Sequence, residues 1–292
     1  MKRIILSGAS GFLGTNIIKK ALQQDIDVLA LVLPGELQGV VPTMVIYDFL
    51  ENGCAFNSDD VFINCLFPTN ADGYKMADGL EILYRTIVRA HQSNAGAIIN
   101  ISSQSVYASK RTAPAREDDA LCLETPYAVG KYSSEAFVNH VFRDRPHTNI
   151  RLSSLIGIGY NQRIVNRMAD QALKGSELKV MGGMQRYGFL DVRDAAAGLI
   201  RVAQSDPANW KEAYNLGRKE SYTLLEVAEC ICAEIRNKTG LTAGYTVTEG
   251  EDNRNSSVDP SRFMTEFGWS PEISLVETTS DIIDDLYKGA AE

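Results

Sequence analysis

Three short stretches hold the residues whose types and spacing could carry chemistry. Tyr127-Ala-Val-Gly-Lys131 sets a phenol and an ammonium four residues apart. On a helix, positions i and i+4 share one face with Cβ atoms about 5–6 Å apart, so both groups can act on one ligand. Upstream, Ser102-Ser103-Gln104-Ser105-Val106-Tyr107 follows an apolar run and brings hydroxyls to its end. Near the start, the stretch GASGFLG spaces Gly8, Gly11 and Gly14 three apart. Glycines fill a core poorly, because they pack nothing and lose the most backbone freedom on folding.

Each stretch needs elements to position it. Residues 3–7 read as a strand and 13–24 as a helix, so the glycines fall at the first strand-to-helix turn. Further strands are expected at 27–33, 43–47, 61–65 and 97–101, with helical periodicity over 75–91 and 126–143. Runs apolar on both faces and separated by helices imply a parallel sheet covered on both sides, a Rossmann-type doubly wound α/β fold. After a strand near 150–155 the pattern loosens. Helices are expected at 162–173, 193–203, 224–236 and 275–287, and strands near 178–181 and 213–216. The expected division is a dinucleotide-binding domain of residues 1–157 with 189–218, and a smaller, interleaved substrate-binding lobe of 158–188 with 219–292.

In a doubly wound fold the first strand-to-helix turn receives a dinucleotide pyrophosphate. Small residues let the backbone approach the phosphates, and the N–H groups and dipole of the following helix favour negative charge. The expected cofactor-binding positions there are Gly8, Gly11, Phe12, Leu13 and Gly14, with Gly14 allowing close helix-to-sheet packing. A P-loop is excluded, because no GK[ST] follows.

Composition narrows the partners. The 292 residues are 45% hydrophobic and 23% charged, ordinary for a globular chain, and 29 basic against 37 acidic side chains leave a net charge of −8. That balance argues against a nucleic-acid partner, so an anionic ligand must be held by local donors. No apolar run approaches a membrane span or a signal peptide core, which points to a cytoplasmic protein. Five cysteines, at 54, 65, 122, 230 and 232, form no even framework, and three scattered histidines form no zinc pattern.

With a GxxGxxG turn, the Tyr127/Lys131 pair and the Ser102–Tyr107 segment in order, the chain resembles the extended short-chain dehydrogenase/reductase family, in its NAD-dependent epimerase/dehydratase branch. Later segments fit the same resemblance: YGFLDVRD at 187–194, Tyr214-Asn215-Leu216-Gly217, Thr223 to Val227, and Asp259-Pro-Ser-Arg262 before Phe267-Gly-Trp-Ser-Pro271. The resemblance implies a nucleotide-activated sugar as substrate. It makes Tyr127 the acid/base, Lys131 a second catalytic group that also binds the nicotinamide ribose, and Ser103 the hydroxyl that holds the sugar oxygen. To act as a base near neutrality a tyrosine must fall roughly three units from a pKa near 10, and a nearby Lys131 ammonium together with an oxidised nicotinamide would favour the phenolate.

The resemblance also implies that Asp48, expected at the end of the third strand with Phe49 beside it, contacts the adenine. Arg254 and Arg186 are candidate substrate-anchoring residues, as is Ser154, which stands where many epimerases have asparagine. The second strand ends in Val32-Leu33-Pro34-Gly35, with neither the acid that selects NAD nor the arginine that selects NADP, so NAD or NADP remains open. Gln104 and Ser105 replace the Asp-Glu pair of sugar dehydratases, which leaves a C4 epimerase or a 4-keto reductase, and the chain length leans to the reductase. The alternative is a non-catalytic dinucleotide-binding sensor of the same fold. A homodimer through the two long helices is the family expectation.

Overall fold

The computed structural model describes residues 3–68, 73–250 and 252–289. In chain order its strands are β1 (Ile4–Ser7), β2 (Val28–Val32), β3 (Thr43–Val45), β4 (Val61–Asn64), β5 (Ala97–Ser103), β6 (His147–Leu152), β7 (Ser154–Ile156), β8 (Leu178–Met181), β9 (Arg186–Tyr187), β10 (Phe189–Asp191), β11 (Ala213–Leu216), β12 (Tyr222–Thr223) and β13 (Tyr245–Thr248). The helices are α1 (Phe12–Gln23), α2 (Ile46–Asn52), α3 (Gly73–Gln92), α4 (Pro126–Val141), α5 (Ile164–Leu173), α6 (Val192–Gln204), α7 (Leu224–Thr239), α8 (Ser261–Phe267) and α9 (Leu275–Gly289).

Seven strands form one sheet in the order β11-β6-β5-β4-β1-β2-β3, and every neighbouring pair is parallel. This is the doubly wound fold expected from the apolar runs. The chain order reverses between β1 and β4, so the crevice outside the carboxyl ends of these two strands is where such sheets hold ligands.

The pleat sends successive side chains to opposite faces. Ile4 and Leu6 join a core with Ile17 of α1 and Leu199 of α6, while Ile5 joins Phe62, Leu83 of α3 and Val138 of α4 on the other face. A third core, with Val165, Val180, Ile231 and Ile283, ties α5, β8, α7 and α9 together. Phe263 and Phe267 of α8 pack instead into the core that holds α1 and α6.

The third strand stops at Val45, two residues earlier than its β-branched composition suggested. Ile46, Phe49 and Leu50 follow at helical spacing and are buried, so the chain turns into α2 to bury them. The short strands β9, β10, β12 and β13 and the helix α8 had no usable period. Among the described residues no helix is long and apolar enough to cross a membrane.

One polar feature crosses the apolar sheet. The Ser7 hydroxyl donates to Asn64 Oδ1 (2.7 Å), Asn64 Nδ2 donates to Asn100 Oδ1 (2.9 Å), and Asn100 Nδ2 donates to Asn149 Oδ1 (2.9 Å). These residues are register partners on β1, β4, β5 and β6, and each is at most 1% exposed. Asn100 Nδ2 also reaches the Ser134 hydroxyl of α4 (3.2 Å), and Asn149 Nδ2 donates to Asn139 of α4 (2.8 Å). A one-residue slip of any strand would bury unpaired amides. Asn100→Leu, which keeps the branched outline and strands the amides on both sides, is expected to lose about 3–5 kcal/mol in urea unfolding; a loss under about 1 kcal/mol would show that the row does not set the register.

Candidate active site

The glycine turn follows β1 directly. Gly8 has φ +66°, and a Cβ there would meet the Cys65 carbonyl carbon at 2.7 Å. A Cβ on Gly14 would lie 2.3 Å from the Gly8 carbonyl oxygen, so α1 packs closely onto its own turn only with glycine at this position. Gly11 caps α1, with no side-chain cap bond and no acid in the first turn. The first N–H groups of the helix, on Phe12, Leu13 and Gly14, are therefore left for an anionic ligand. Leu13 turns its side chain into the core and offers only its backbone. The Phe12 ring stacks on Tyr160 at 4.7 Å between centroids, with the Arg163 guanidinium 4.8 Å from the Tyr160 ring. A glycine-lined turn with unclaimed helix donors fits a dinucleotide pyrophosphate.

At the end of β2 the sequence reading missed an acid. Glu36 folds back so that its carboxylate accepts the Leu33 N–H at 3.0 Å, which sets a negative charge just past the strand. The turn that delivers it passes through Gly35 at φ +88° and Leu37 at φ +53°. The signal was a glycine followed by an acid three residues after the strand. Asp48 lies exposed in the first turn of α2 and not at a strand end. Phe49 is fully buried against Phe62, so this expected cofactor position presents no surface to a ligand.

Ser103 closes β5, and its hydroxyl accepts the Ser105 N–H at 3.2 Å, which starts the single helical turn Gln104–Val106. The Ser103 hydroxyl proton is thereby free to be donated. Thr125 caps α4 by accepting the Ala128 N–H, with Pro126 in its first turn, and this sets Tyr127 and Lys131 on one helix face. Tyr127 is 36% exposed, and Lys131 is 5% exposed. Burial pushes the Tyr127 hydroxyl above its ordinary value, while hydrogen bonding to Ser103 and then the Arg163 charge pull it back. Ser103 and Tyr127 are thus brought together.

The head group of Lys131 points away from the phenol. Lys131 Nζ donates to the Ile101 carbonyl at 2.9 Å and sits 3.9 Å from the centre of the Phe67 ring, but 5.8 Å from that of Tyr127. Those neighbours hold the ammonium closer than the phenol does, and burial is the largest influence on the Tyr127 hydroxyl. Burial draws Lys131 down from 10.5 to about 8, opposed by Cys65 and Glu135, and burial holds the Cys65 thiol up at about 12. Glu135, one turn beyond Lys131, is itself bound by Arg151 (2.8 Å) and by the Ser102 hydroxyl (2.5 Å).

On the substrate side the expected residues are spread out. Ser154 lies in β7, half-buried, beside β10. The Arg186 N–H donates to the Arg254 carbonyl at 2.8 Å, so the two arginines are backbone neighbours. Arg254 is held by Asp252, and among the described residues the Arg186 side chain hydrogen-bonds Ser221. Sequence reasoning missed Arg111, whose Nη2 donates to Gln104 Oε1 at 3.0 Å and to the Ser257 carbonyl at 2.9 Å. Arginine only donates, so the Gln104 amide must present its oxygen to Arg111 and keep its N–H groups for another acceptor.

The sequence profile of the NAD dependent epimerase/dehydratase family matches residues 4–217. The chain belongs to this family. Among curated relatives, dTDP-4-dehydro-6-deoxyglucose reductase of Escherichia coli is 20% identical over 312 residues, covering 98% of this chain and 96% of the relative. Among solved structures, UDP-N-acetylglucosamine 4-epimerase from Bacillus cereus superposes with a TM-score of 0.81 at 20% identity, covering 97% of this chain and 96% of that one. UDP-glucuronic acid 4-epimerase from Bacillus cereus, solved with NAD, gives 0.81 at 18% identity over 98% and 99% of the two chains. These likenesses confirm the fold, and NAD is the cofactor of the family.

The buried ammonium has a measurable cost. The unfolded chain holds the Lys131 proton up to about pH 10.5 and the folded chain releases it near 8, so the unfolded state binds more protons in between. Stability from this group therefore rises with pH across that window, and the full cost is present below it. Lys131→Met is expected to stabilise the fold at pH 7 by about 2 kcal/mol, the charge cost less one lost hydrogen bond, as read by urea unfolding. The gain should shrink towards pH 10; an equal loss of stability at both pH values would contradict the assignment.

Proposed function

We propose that the protein is an NAD-dependent oxidoreductase acting on a nucleotide-activated sugar, and that it reduces a sugar ketone with Tyr127 as proton donor. The observation that carries this reading is that Ser103 at the end of β5 and the Tyr127 phenol of α4 stand beside the buried Lys131, with hydrogen bonding to Ser103 acting on the phenol. The cofactor in its reduced form, NADH, would supply the hydride when bound and leave as NAD. Ser103, with its oxygen already accepting the Ser105 N–H, donates to the sugar oxygen and holds it against Tyr127. Tyr127 gives that oxygen its proton as the ketone becomes an alcohol. Lys131 holds the nicotinamide ribose from the floor of the site.

The E. coli relative is named for a keto-sugar reduction of this kind, and the same residues run in reverse would serve a C4 epimerase that retains its NAD. Glu36 at the end of β2 favours a free ribose 2′-hydroxyl over a 2′-phosphate, which agrees with NAD. Gln104 and Ser105 offer no acid and base beside Ser103 for eliminating water, so dehydration is not part of the proposal. The lobe built on the third core, with Arg186 and Arg254 near its edge, would hold the sugar nucleotide. The outer faces of α3 and α4 expose Tyr84, Val129 and Tyr132, and a second copy is proposed to cover them.

The test is to incubate the purified chain with NADH and a nucleoside-diphosphate 4-keto sugar and to follow the loss of nicotinamide absorbance. Turnover by the parent and a fall of about 10²–10⁴-fold in Tyr127→Phe are expected. A Tyr127→Phe variant as active as the parent would refute the assigned donor. NAD that copurifies with the chain and is released only on unfolding would move the reading from reductase to epimerase.

A further inference from the structure

We propose that Phe67 is a positioning residue of the Tyr127 and Lys131 pair, one aromatic ring that seats the ammonium on its face and packs edge-to-face with the phenol. This rests on the functional reading above for its purpose, but its geometry stands apart from it. Phe67 follows β4 by three residues, in the crevice where the strand order reverses. Lys131 Nζ lies 3.9 Å from the ring centre, within the range of a cation–π contact. The Tyr127 ring stands at 79° to the Phe67 ring with centroids 5.3 Å apart, a T-shaped pair.

The catalytic helix has made room for this ring. Gly130 lies between Tyr127 and Lys131, where helix propensity alone would favour alanine by about 1 kcal/mol. A Cβ there would meet Phe67 Cζ at 3.1 Å and Met76 Sδ at 2.9 Å. The next residue, Pro68, fills the space left by Gly79 of α3, where a Cβ would fall 2.4 Å from the proline ring. Two helices thus each give up a side chain to bring the segment after β4 against them. Phe67 is held between α4 and the end of the sheet.

What the ring replaces is a counter-ion. Among the described residues no carboxylate is in ion-pair contact with Lys131, because Glu135 is taken by Arg151 and Ser102. The groups that face Lys131 are the Cys65 thiol, the Glu135 carboxylate, the Tyr127 ring and the Ile101 carbonyl. The thiol is protonated, so Phe67 and Ile101 are the immediate hosts of the charge. A π face stabilises an ammonium where a ringless apolar side chain of similar size does not, and it does so without a charge that would tie Lys131 away from a ribose. Loss of the ring should therefore make the ammonium release its proton at lower pH.

The experiment is a pH titration of the Lys131 ¹³Cε resonance in protein labelled at lysine, with the signal assigned through Lys131→Arg. In Phe67→Leu the midpoint is expected to fall by about one pH unit from the parent, and in Phe67→Tyr to stay within a few tenths. Should Phe67→Leu not fold, pentafluorophenylalanine placed at position 67 keeps the shape and reverses the ring quadrupole, and the same fall is expected. An unmoved midpoint in the ringless or fluorinated protein overturns the proposal, as does a tyrosine variant that shifts like leucine. The titration needs no substrate, so an inactive protein with a shifted midpoint would fault the proposed reaction and leave the role of Phe67 standing.

Discussion

The site depends on a row of side-chain amides laid across the sheet. Ser7, Asn64, Asn100 and Asn149 pass hydrogen bonds in one direction through four neighbouring strands, on the face whose other side chains, such as Ile5, Phe62 and Ile98, are apolar. Backbone ladders alone would tolerate a shifted strand, since their donors and acceptors repeat. The amides do not repeat, and each misaligned one would be buried without a partner. The row lies close behind the functional residues. Ser7 precedes Gly8, Asn64 precedes the segment that carries Phe67, and Asn100 is three residues before Ser103. Through Ser134 and Asn139 it also fixes α4, and with it Tyr127 and Lys131. The groups of the site converge because one network sets the height of every element that carries them.

A second constraint is the treatment of charge in the dry layer behind the site. Arg151 and Glu135 form a buried, doubly bonded pair, to which Ser102 and Tyr107 add their hydroxyls. That network absorbs the carboxylate nearest to Lys131. The ammonium is left among a protonated thiol, a carbonyl and an aromatic face, and its pKa falls accordingly. Burial of an unpaired charge destabilises the fold. Among the described residues the ammonium has no carboxylate in ion-pair contact, and it sits buried behind the crevice. A stable core is given up there for a reactive one.

Much of this was legible in the residues. The alternation of apolar runs with helical periods gave the parallel sheet, and GASGFLG and Ser103 fall at the carboxyl ends of its strands β1 and β5, with Tyr127 and Lys131 at the start of α4. The asparagines were a readable signal too, since Asn64, Asn100 and Asn149 each interrupt an apolar strand. Their mutual register was not readable, because it depends on which strands become neighbours. Glu36 escaped for a similar reason, as its carboxylate reaches the end of β2 only through a turn with positive φ at Gly35 and Leu37. Asp48 was placed on a strand because Ile46 and Tyr47 extend the β-favouring run, whereas burial of Phe49 and Leu50 decides for a helix. The direction of the Lys131 head group, toward Ile101 and Phe67, was not readable either, because spacing does not fix it.

The central claim is that Ser103, Tyr127 and Lys131 face a nicotinamide whose pyrophosphate rests on the N-terminus of α1. The most direct measurement is a crystal structure of the chain soaked with NAD and a nucleoside-diphosphate sugar. The account places the reactive ring carbon within about 3–4 Å of a substrate carbon held by the Ser103 and Tyr127 hydroxyls, and the ribose hydroxyls on Lys131. A dinucleotide bound elsewhere, or bound at the glycine turn with its nicotinamide swung out of reach of all three side chains, would contradict it.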